Sequence, residues 1–409
     1  MAEHPEPAVV AHARARADGP VRLGAAEPAP PGMMRLTRAD STGEALPVWP
    51  DGVTPALLDE HQVPPVAVER SGETRRVLAA VLKCCWHDLS ADPWPGRPAP
   101  VDLVLDTYRE LIGRTDDLMR NWAVGALRRL HDSAWVVMGD GVVTLGPRCA
   151  LWPVESHAQL QELVRRLPEP ARPELTVVPD DDLVSAEGGG AGDRAGGRAE
   201  AAVAEFDDLL SGYDERRRAE LVAAYMVVEH AAEPVQEVRF AALRDPALRH
   251  TLGEMLARRG RTLIQHRDRW TSGYDDAVAA RLGAEGPARL GVSERAVLAL
   301  VLVHSVAIPR AEGLLPEDSW LSPHPTPADE LRRHTQLPIG ELESALRVLR
   351  HAGLISQVKA GEEAGGYVPG PQFHRLTPAA RRRLQEELIL AAGPSTPLAA
   401  AVLARRSAR

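Results

Sequence analysis

Hydrophobic positions fall at helical spacing in two stretches of the chain that read almost alike. Residues 122–136, WAVGALRRLHDSAWV, carry Leu127 and Leu130, and residues 341–355, ELESALRVLRHAGLI, carry Leu346 and Leu349. Leucines three apart share one side of a helix, so both pairs are expected to point into a core. The likeness extends upstream: ETRRVLAAVLKCC (73–85) aligns with SERAVLALVLVHS (293–305), and RELIGRT (109–115) with DELRRHT (329–335), at an offset of 220. The leucine helices align at 219, one residue being lost in the turn before them. Matching order over about eighty residues predicts a duplicated domain.

Each copy has the same order of elements. A buried helix over about 73–88 or 293–308 precedes a proline-rich loop and a short helix ending near Gly113 or Thr335. The leucine helix follows and stops at Ser133-Ala134 or Ala352-Gly353. In the first copy WVVM, Gly139-Asp140-Gly141 and VVTL spell a β-hairpin. In the second, KAGEEAGG (359–366) makes a longer tip. Both copies then reach a Gly-Pro, at Gly146-Pro147 and Gly370-Pro371.

The expected fold is mainly α with small β-hairpin wings, two such domains flanking a helical middle region. Residues 1–65, rich in Pro, Ala and Gly, read as mostly disordered, with Trp49 as a local anchor. Domain 1 spans 66–154, a helical extension 155–178, and a flexible Gly/Asp-rich linker 179–199. The helical middle runs 200–290, with Asp245 and Pro246 as an N-cap and first-turn proline. Domain 2 spans 291–392, and 393–409 reads as a flexible basic tail.

Three helices closed by a two-stranded wing resemble the winged-helix superfamily. DELRRHTQLPIGELESALRVLRHAGLI is similar to the helix-turn-helix of bacterial MarR- and PadR-type regulators, as is HRLTPAARRRL (374–384). In the latter, Thr377 is expected to cap a helix that Pro378 opens. The tandem plan, two winged domains around a helical middle, resembles kleisins and the tandem winged-helix subunits of condensin-like complexes. The resemblance to regulators implies that the start of the third helix enters a DNA major groove.

Charge modifies that expectation. The chain of 409 residues has a net charge of −9, whereas proteins that coat nucleic acid carry a basic surplus. From 338 to 376, Arg347, Arg350, Lys359 and Arg375 only balance Glu341, Glu343, Glu362 and Glu363. From 114 to 152, Arg114, Arg120, Arg128, Arg129 and Arg148 exceed Asp116, Asp117, Asp132 and Asp140 by one. MarR-type wings carry a basic tip, and here the tip holds Glu362-Glu363. The candidate nucleic-acid contacts are Arg120, Asn121, Ser344, Arg347, Lys359 and the triplet Arg381, Arg382, Arg383; the triplet reads in the first place as a solvated helix face.

No catalytic, cofactor or metal constellation is expected. Cys84-Cys85-Trp86-His87 lacks zinc-ligand spacing, and the cysteines read as buried thiols of a reducing compartment. His266-Arg267-Asp268 reads as polar residues capping a helix before Trp270, the glycines of 188–197 as linker, Asp180–Asp182 as an acidic loop, and His304 as a core histidine. Trp122, Trp135 and Trp152 are expected to fill a core or a partner groove. The N-terminus shows no signal sequence, and the apolar run 296–308 is shorter than the ~20 residues of a bilayer span, so a cytoplasmic protein without membrane contact is expected.

The resulting expectation is a non-catalytic adaptor or scaffold subunit of a DNA-associated assembly, of the kind serving condensin-like chromosome maintenance or plasmid and phage defence. Its partners would be a coiled-coil ATPase or a second small subunit, with auxiliary double-stranded DNA contact and homodimerisation as further options. The alternative is a winged-helix transcriptional regulator.

Overall fold

Where the leucine helices were expected, the computed structural model places helices, and it divides the described chain into two compact units. It describes residues 5–24, 26–37, 43–50, 53, 57, 60, 72–90, 93–94, 96–113, 117–132, 135–146, 148–149, 161–162, 164–165, 167, 205–285, 290–358, 365–392 and 395–407. The expected linker 179–199 and most of the helical extension lie outside these residues. Mainly helical segments alternate with antiparallel sheets of two or three strands.

The unit formed by Pro7–His230 and Phe240–Arg259 begins where disorder was expected. Helix α1 (Pro7–Asp18) is followed by β1 (Val21–Leu23), β2 (Met33–Thr37) and β3 (Gly43–Pro47), in sheet order β1-β3-β2. Composition misses them because α1 buries small and polar residues, Ala13, Ala15 and His12, rather than a large apolar stripe. Trp49 stacks on His230, their rings 6.5 Å apart.

Helix α2 (Gly72–Cys85) packs Val77, Ala80, Val81 and Cys84 against α3 (Val101–Ile112) and α4 (Asp117–Asp132). Leu127 and Leu130 of α4 are fully buried with Ala123 and Ala126. Strand β5 (Val136–Gly139) pairs with β6 (Val142–Leu145) around Asp140 and Gly141, whose φ values of 50° and 77° fit a tight hairpin turn. The two-residue strand β4 (Ala99–Pro100), just ahead of α3, adds to the other edge of β6 through Ala99 opposite Val143.

Helix α5 (Glu215–His230) is buried continuously from Leu221 to Glu229, as a helix apolar on all sides must be. Around it lie α6 (Ala241–Arg244) and α7 (Pro246–Arg258). The Asp245 carboxylate accepts from the Ala247 and Leu248 amides, and Pro246 opens the helix, as its sequence predicts.

The unit that includes Ala231–Arg239 and Gly260–Arg409, together with Met1–Glu6, corrects the all-helical middle region. Strands β7 (Val235–Gln236), β8 (Arg261–His266) and β9 (Arg269–Tyr274) form a sheet in order β7-β9-β8, followed by helix α8 (Asp276–Glu285). Arg267-Asp268 is therefore the turn of a hairpin, not a helix cap. Arg267 takes a left-handed φ of 57° there, with its carbonyl accepting from Gln265 Nε2.

Helix α9 (Val292–Leu302) runs through a π-helical turn, Val303–Ala307, into α10 (Ile308–Ala311). Pro309 has no amide hydrogen to continue an α-helical ladder, and the Ile308 amide bonds to Val303 O, five residues back. This run of 20 residues is longer than the apolar stretch in the sequence and, by length and composition alone, could span a membrane; here it packs against its neighbours. Those are α11 (Ala328–His334) and α12 (Ile339–His351). Val297, Val301, Leu331, Leu342, Leu346, Leu349 and Ile355 form their common core.

Strands β10 (Ile355–Val358) and β11 (Gly366–Pro369) form the hairpin after α12, and Thr326, just ahead of α11, bridges to Tyr367. A Cβ on Gly366 would lie 2.4 Å from Thr326 O, so the bridge requires glycine there. Helix α13 (Pro378–Ala392) starts with Thr377 Oγ1 accepting from the Ala380 amide, as expected. The expected flexible tail is instead α14 (Pro397–Ser407), whose Arg405 and Arg406 both pair with the buried Glu386 of α13. The glutamate has no local counterpart in the tail's composition, so only tertiary contact reveals that helix.

Candidate nucleic-acid interface

The inward stripe of α4 leaves Arg120, Asn121, Trp122 and Arg128 exposed on its outer face. Arg120 is not isolated: its guanidinium lies 2.9 Å from the Asp102 carboxylate of α3. An exposed pair of this kind holds weakly, within ~1 kcal/mol, but Asp102 offsets the arginine's field toward a phosphate. Trp122 beside it is 50% exposed, whereas Trp135 is buried; Trp152 lies outside the described residues.

On α12, the inward residues Leu342, Ala345, Leu346 and Leu349 leave Ile339, Gly340, Glu341, Glu343, Ser344, Arg347, Val348 and Arg350 outside. Ser344 and Arg347 are thus on the outer face with two carboxylates near the helix start. Arg350 donates to Gln357 Oε1 of β10 at 2.8 Å. Ile339 and Val348 are 62% and 41% exposed, unusually open for side chains of their size. Lys359 lies outside the described residues.

The triplet on α13 divides. Arg381 is half-buried, and its Nη2 sits 2.9 Å from His266 Nε2. Burial draws the Arg381 guanidinium below its ordinary pKa, with Asp318 acting in the opposite sense. Arg383 pairs with Asp276 at 2.8 Å, while Arg382 is exposed. The structure therefore groups Ser344 with Arg347 on α12 and directs Arg381 and Arg383 to the β8–β9 hairpin and α8. Arg120 and Asn121 belong to the other unit.

Two arginines counted in the charge balance of the wings are only partly exposed. Arg148 is enclosed, and burial, with the charge of Arg16, pushes it down to about 10. Arg375 donates to Ser272 O, Ser272 Oγ and Ala231 O.

Sequence reasoning missed the buried ionic network around α1. Arg259 holds Glu205 with both carboxylate oxygens, at 2.8 and 2.6 Å, donates to Val48 O, and faces the rings of Phe206 and Tyr225. Arg16 pairs with the buried Glu229 at 2.8 Å. His12 Nε2 donates to Pro31 O at 2.7 Å and lies 3.8 Å from Glu205. These residues are up to 247 positions apart, so no local spacing signals the cluster.

The cysteines sit in the core of the same unit. Cys84 Sγ lies 3.3 Å from Thr107 Oγ1, and the Cys85 and Cys149 thiols face Val143 O and Trp135 O. Burial first, and a neighbouring thiol second, push Cys85 and Cys149 up to about 12, which keeps them protonated. His87 is exposed, and His131 Nδ1 accepts from the Met138 amide.

No known protein family, curated protein or solved structure matches the chain.

Proposed function

We propose that this protein is a non-catalytic tandem winged-helix adaptor, a scaffold subunit of a DNA-associated assembly such as condensin-like chromosome maintenance or plasmid and phage defence. The winged-helix reading is supported by a shared element order: helix, short strand or bridge, helix, helix and hairpin. In a winged helix the lead strand pairs with the last strand of the wing, and Ala99 opposite Val143 and Thr326 opposite Tyr367 fit that rule.

Duplication is supported by equivalent backbone bonds. The Trp135 amide bonds Leu130 O and the Leu354 amide bonds Leu349 O, both pairs offset by 219 residues. Gly146 and Gly370 then close back on Trp135 O and Leu354 O. Val136 faces Leu145 as Ile355 faces Pro369, the second hairpin holding five more residues.

The adaptor reading rests on one observation: the outer faces of both third helices carry exposed apolar side chains beside one arginine each that is already offset or engaged, Arg120 by Asp102 and Arg350 by Gln357. Trp122, Ile339 and Val348 suit a protein surface, whose interfaces favour aromatic and aliphatic anchors. The partner class is a large coiled-coil ATPase or a second small subunit, with DNA contact auxiliary and a homodimer compatible. Exposed Asn121, Ser344 and Arg347 favour the second reading, a transcriptional regulator.

Fluorescence anisotropy with the DNA upstream of its own coding region, and with an unrelated duplex, separates the two. The adaptor binds both alike and weakly, in the 10⁻⁴–10⁻⁶ M range of non-specific contact at physiological salt. A regulator binds its own site at about 10⁻⁸ M or tighter. Such binding, weakened by Arg347→Ala, overturns the adaptor reading.

A further inference from the structure

The π-helical turn brings a histidine to a place where two more metal-ligating side chains converge. His304 lies in that turn, and Glu330 and His334 lie one helical turn apart on α11. One donor atom from each residue falls within 4.8 Å of the other two. His334 Nε2 and Glu330 Oε1 are 3.0 Å apart, and the rings of His304 and His334 are 5.1 Å apart at 36°. We propose that His304, Glu330 and His334 form a binding site for a divalent first-row transition-metal ion, with Zn²⁺ the best-suited occupant.

The donor set is two imidazoles and a carboxylate, a combination that zinc takes together with one solvent ligand. With zinc–ligand bonds of about 2.0–2.1 Å, tetrahedral donors lie about 3.3 Å from one another. The His334–Glu330 pair is already near that spacing, and the His304 donor lies within 4.8 Å of both. The partial exposure of His334 and Glu330 leaves the remaining coordination position open to water.

The surroundings hold the ligands in place. Ser305, next to His304, bonds Thr326 Oγ1 at 2.8 Å and Tyr367 O at 3.2 Å. Leu331, between Glu330 and His334, is fully buried against the core that contains Val301. Glu330 divides its oxygens, Oε1 toward His334 and Oε2 to Arg333 at 3.0 Å. Arg333 thereby orients the carboxylate from outside, as outer partners of metal ligands do. An imidazole binds a metal through the lone pair of an unprotonated ring nitrogen, which both histidines can offer. This site does not depend on the adaptor reading, since every residue in it belongs to one helical corner.

Co²⁺ titration of the full chain tests the proposal, read by the visible absorption of a low-coordinate cobalt site and by displacement with Zn²⁺. The expected result is a saturable step of one equivalent that assigns to these residues: lost in His304→Gln, His334→Ala and Glu330→Gln, and weakened ~10-fold in Arg333→Ala. His334 is half exposed, so His334→Ala leaves the core intact, and circular dichroism checks that it is folded. Absence of a one-equivalent step in the parent, or its survival in folded His334→Ala, overturns the assignment and leaves a His–Glu hydrogen bond as the cluster's whole role.

Discussion

Lowering the pH from 7 to 5 should remove about 2 kcal/mol from the unit that buries His12. Burial is the main cause, with the Arg259 guanidinium second; Glu205 and the Pro31 carbonyl oppose them, and the net result brings the imidazole from 6.5 down to about 4. In the unfolded chain the same ring takes up a proton below 6.5, and the folded chain does not follow until about 4. The unfolded state therefore binds more protons across that window, so stability rises with pH there. It is complete above the unfolded value and is lost as the pH falls toward the folded one. For these two values the linked penalty is about 0.2 kcal/mol at pH 7 and about 2 kcal/mol at pH 5. The decisive quantity is the difference between the parent and His12→Gln, whose amide can still donate to Pro31 O. Amide exchange in α5, corrected for intrinsic rates, reports the stability of this unit alone, and NMR of the imidazole Cε1 proton follows His12 directly. A His12 midpoint at 6 or above, or equal pH dependence in parent and variant, would refute the argument.

Leu130→Ala and Leu349→Ala, equivalent positions in the two leucine helices, should each cost 2–5 kcal/mol, roughly, in urea unfolding, while the half-exposed Leu403→Ala stays within about 0.5 kcal/mol. Glu205→Gln leaves the Arg259 guanidinium enclosed without its carboxylate and should cost about 3–5 kcal/mol. The double variant Glu205→Leu/Arg259→Met should cost less than the two single changes summed, which a double-mutant cycle measures. Arg267→Gly relieves the left-handed backbone of the β8–β9 turn while keeping the Gln265 bond to the residue 267 carbonyl, and should raise thermal stability by about 1 kcal/mol; no gain would refute the strain argument.

Much of the helical frame was legible because its signals are local. Leucines at helical spacing marked α4 and α12, Asp140-Gly141 marked the tight hairpin, and Asp245-Pro246 and Thr377-Pro378 marked two helix starts. The rest depends on distant partners. Helix α1 is held by Glu229 and the Pro31 carbonyl, and α14 by Glu386, so neither reveals its buried side through an apolar stripe. The β8–β9 hairpin turns through Arg267-Asp268 without the glycine or asparagine that advertises such a turn. The candidate interface was legible as residue types but not as environments: nothing near Arg375 or Arg148 in the sequence signals that each is enclosed. In the metal-ligand cluster, only the four-residue spacing of Glu330 and His334 is a sequence signal; His304 joins them through the π turn.

The Glu205–Arg259 and Arg16–Glu229 pairs also constrain how the chain can be synthesised or cut. When the first ~200 residues leave the ribosome, α1 has emerged but Glu229, the carboxylate that pairs with Arg16, has not, so its burial must await the residues that follow. A protease nick in the glycine-rich stretch near residue 190 would sever no part of these ion pairs. The two fragments should co-elute after cleavage, whereas expression of residues 1–200 alone should give an insoluble product.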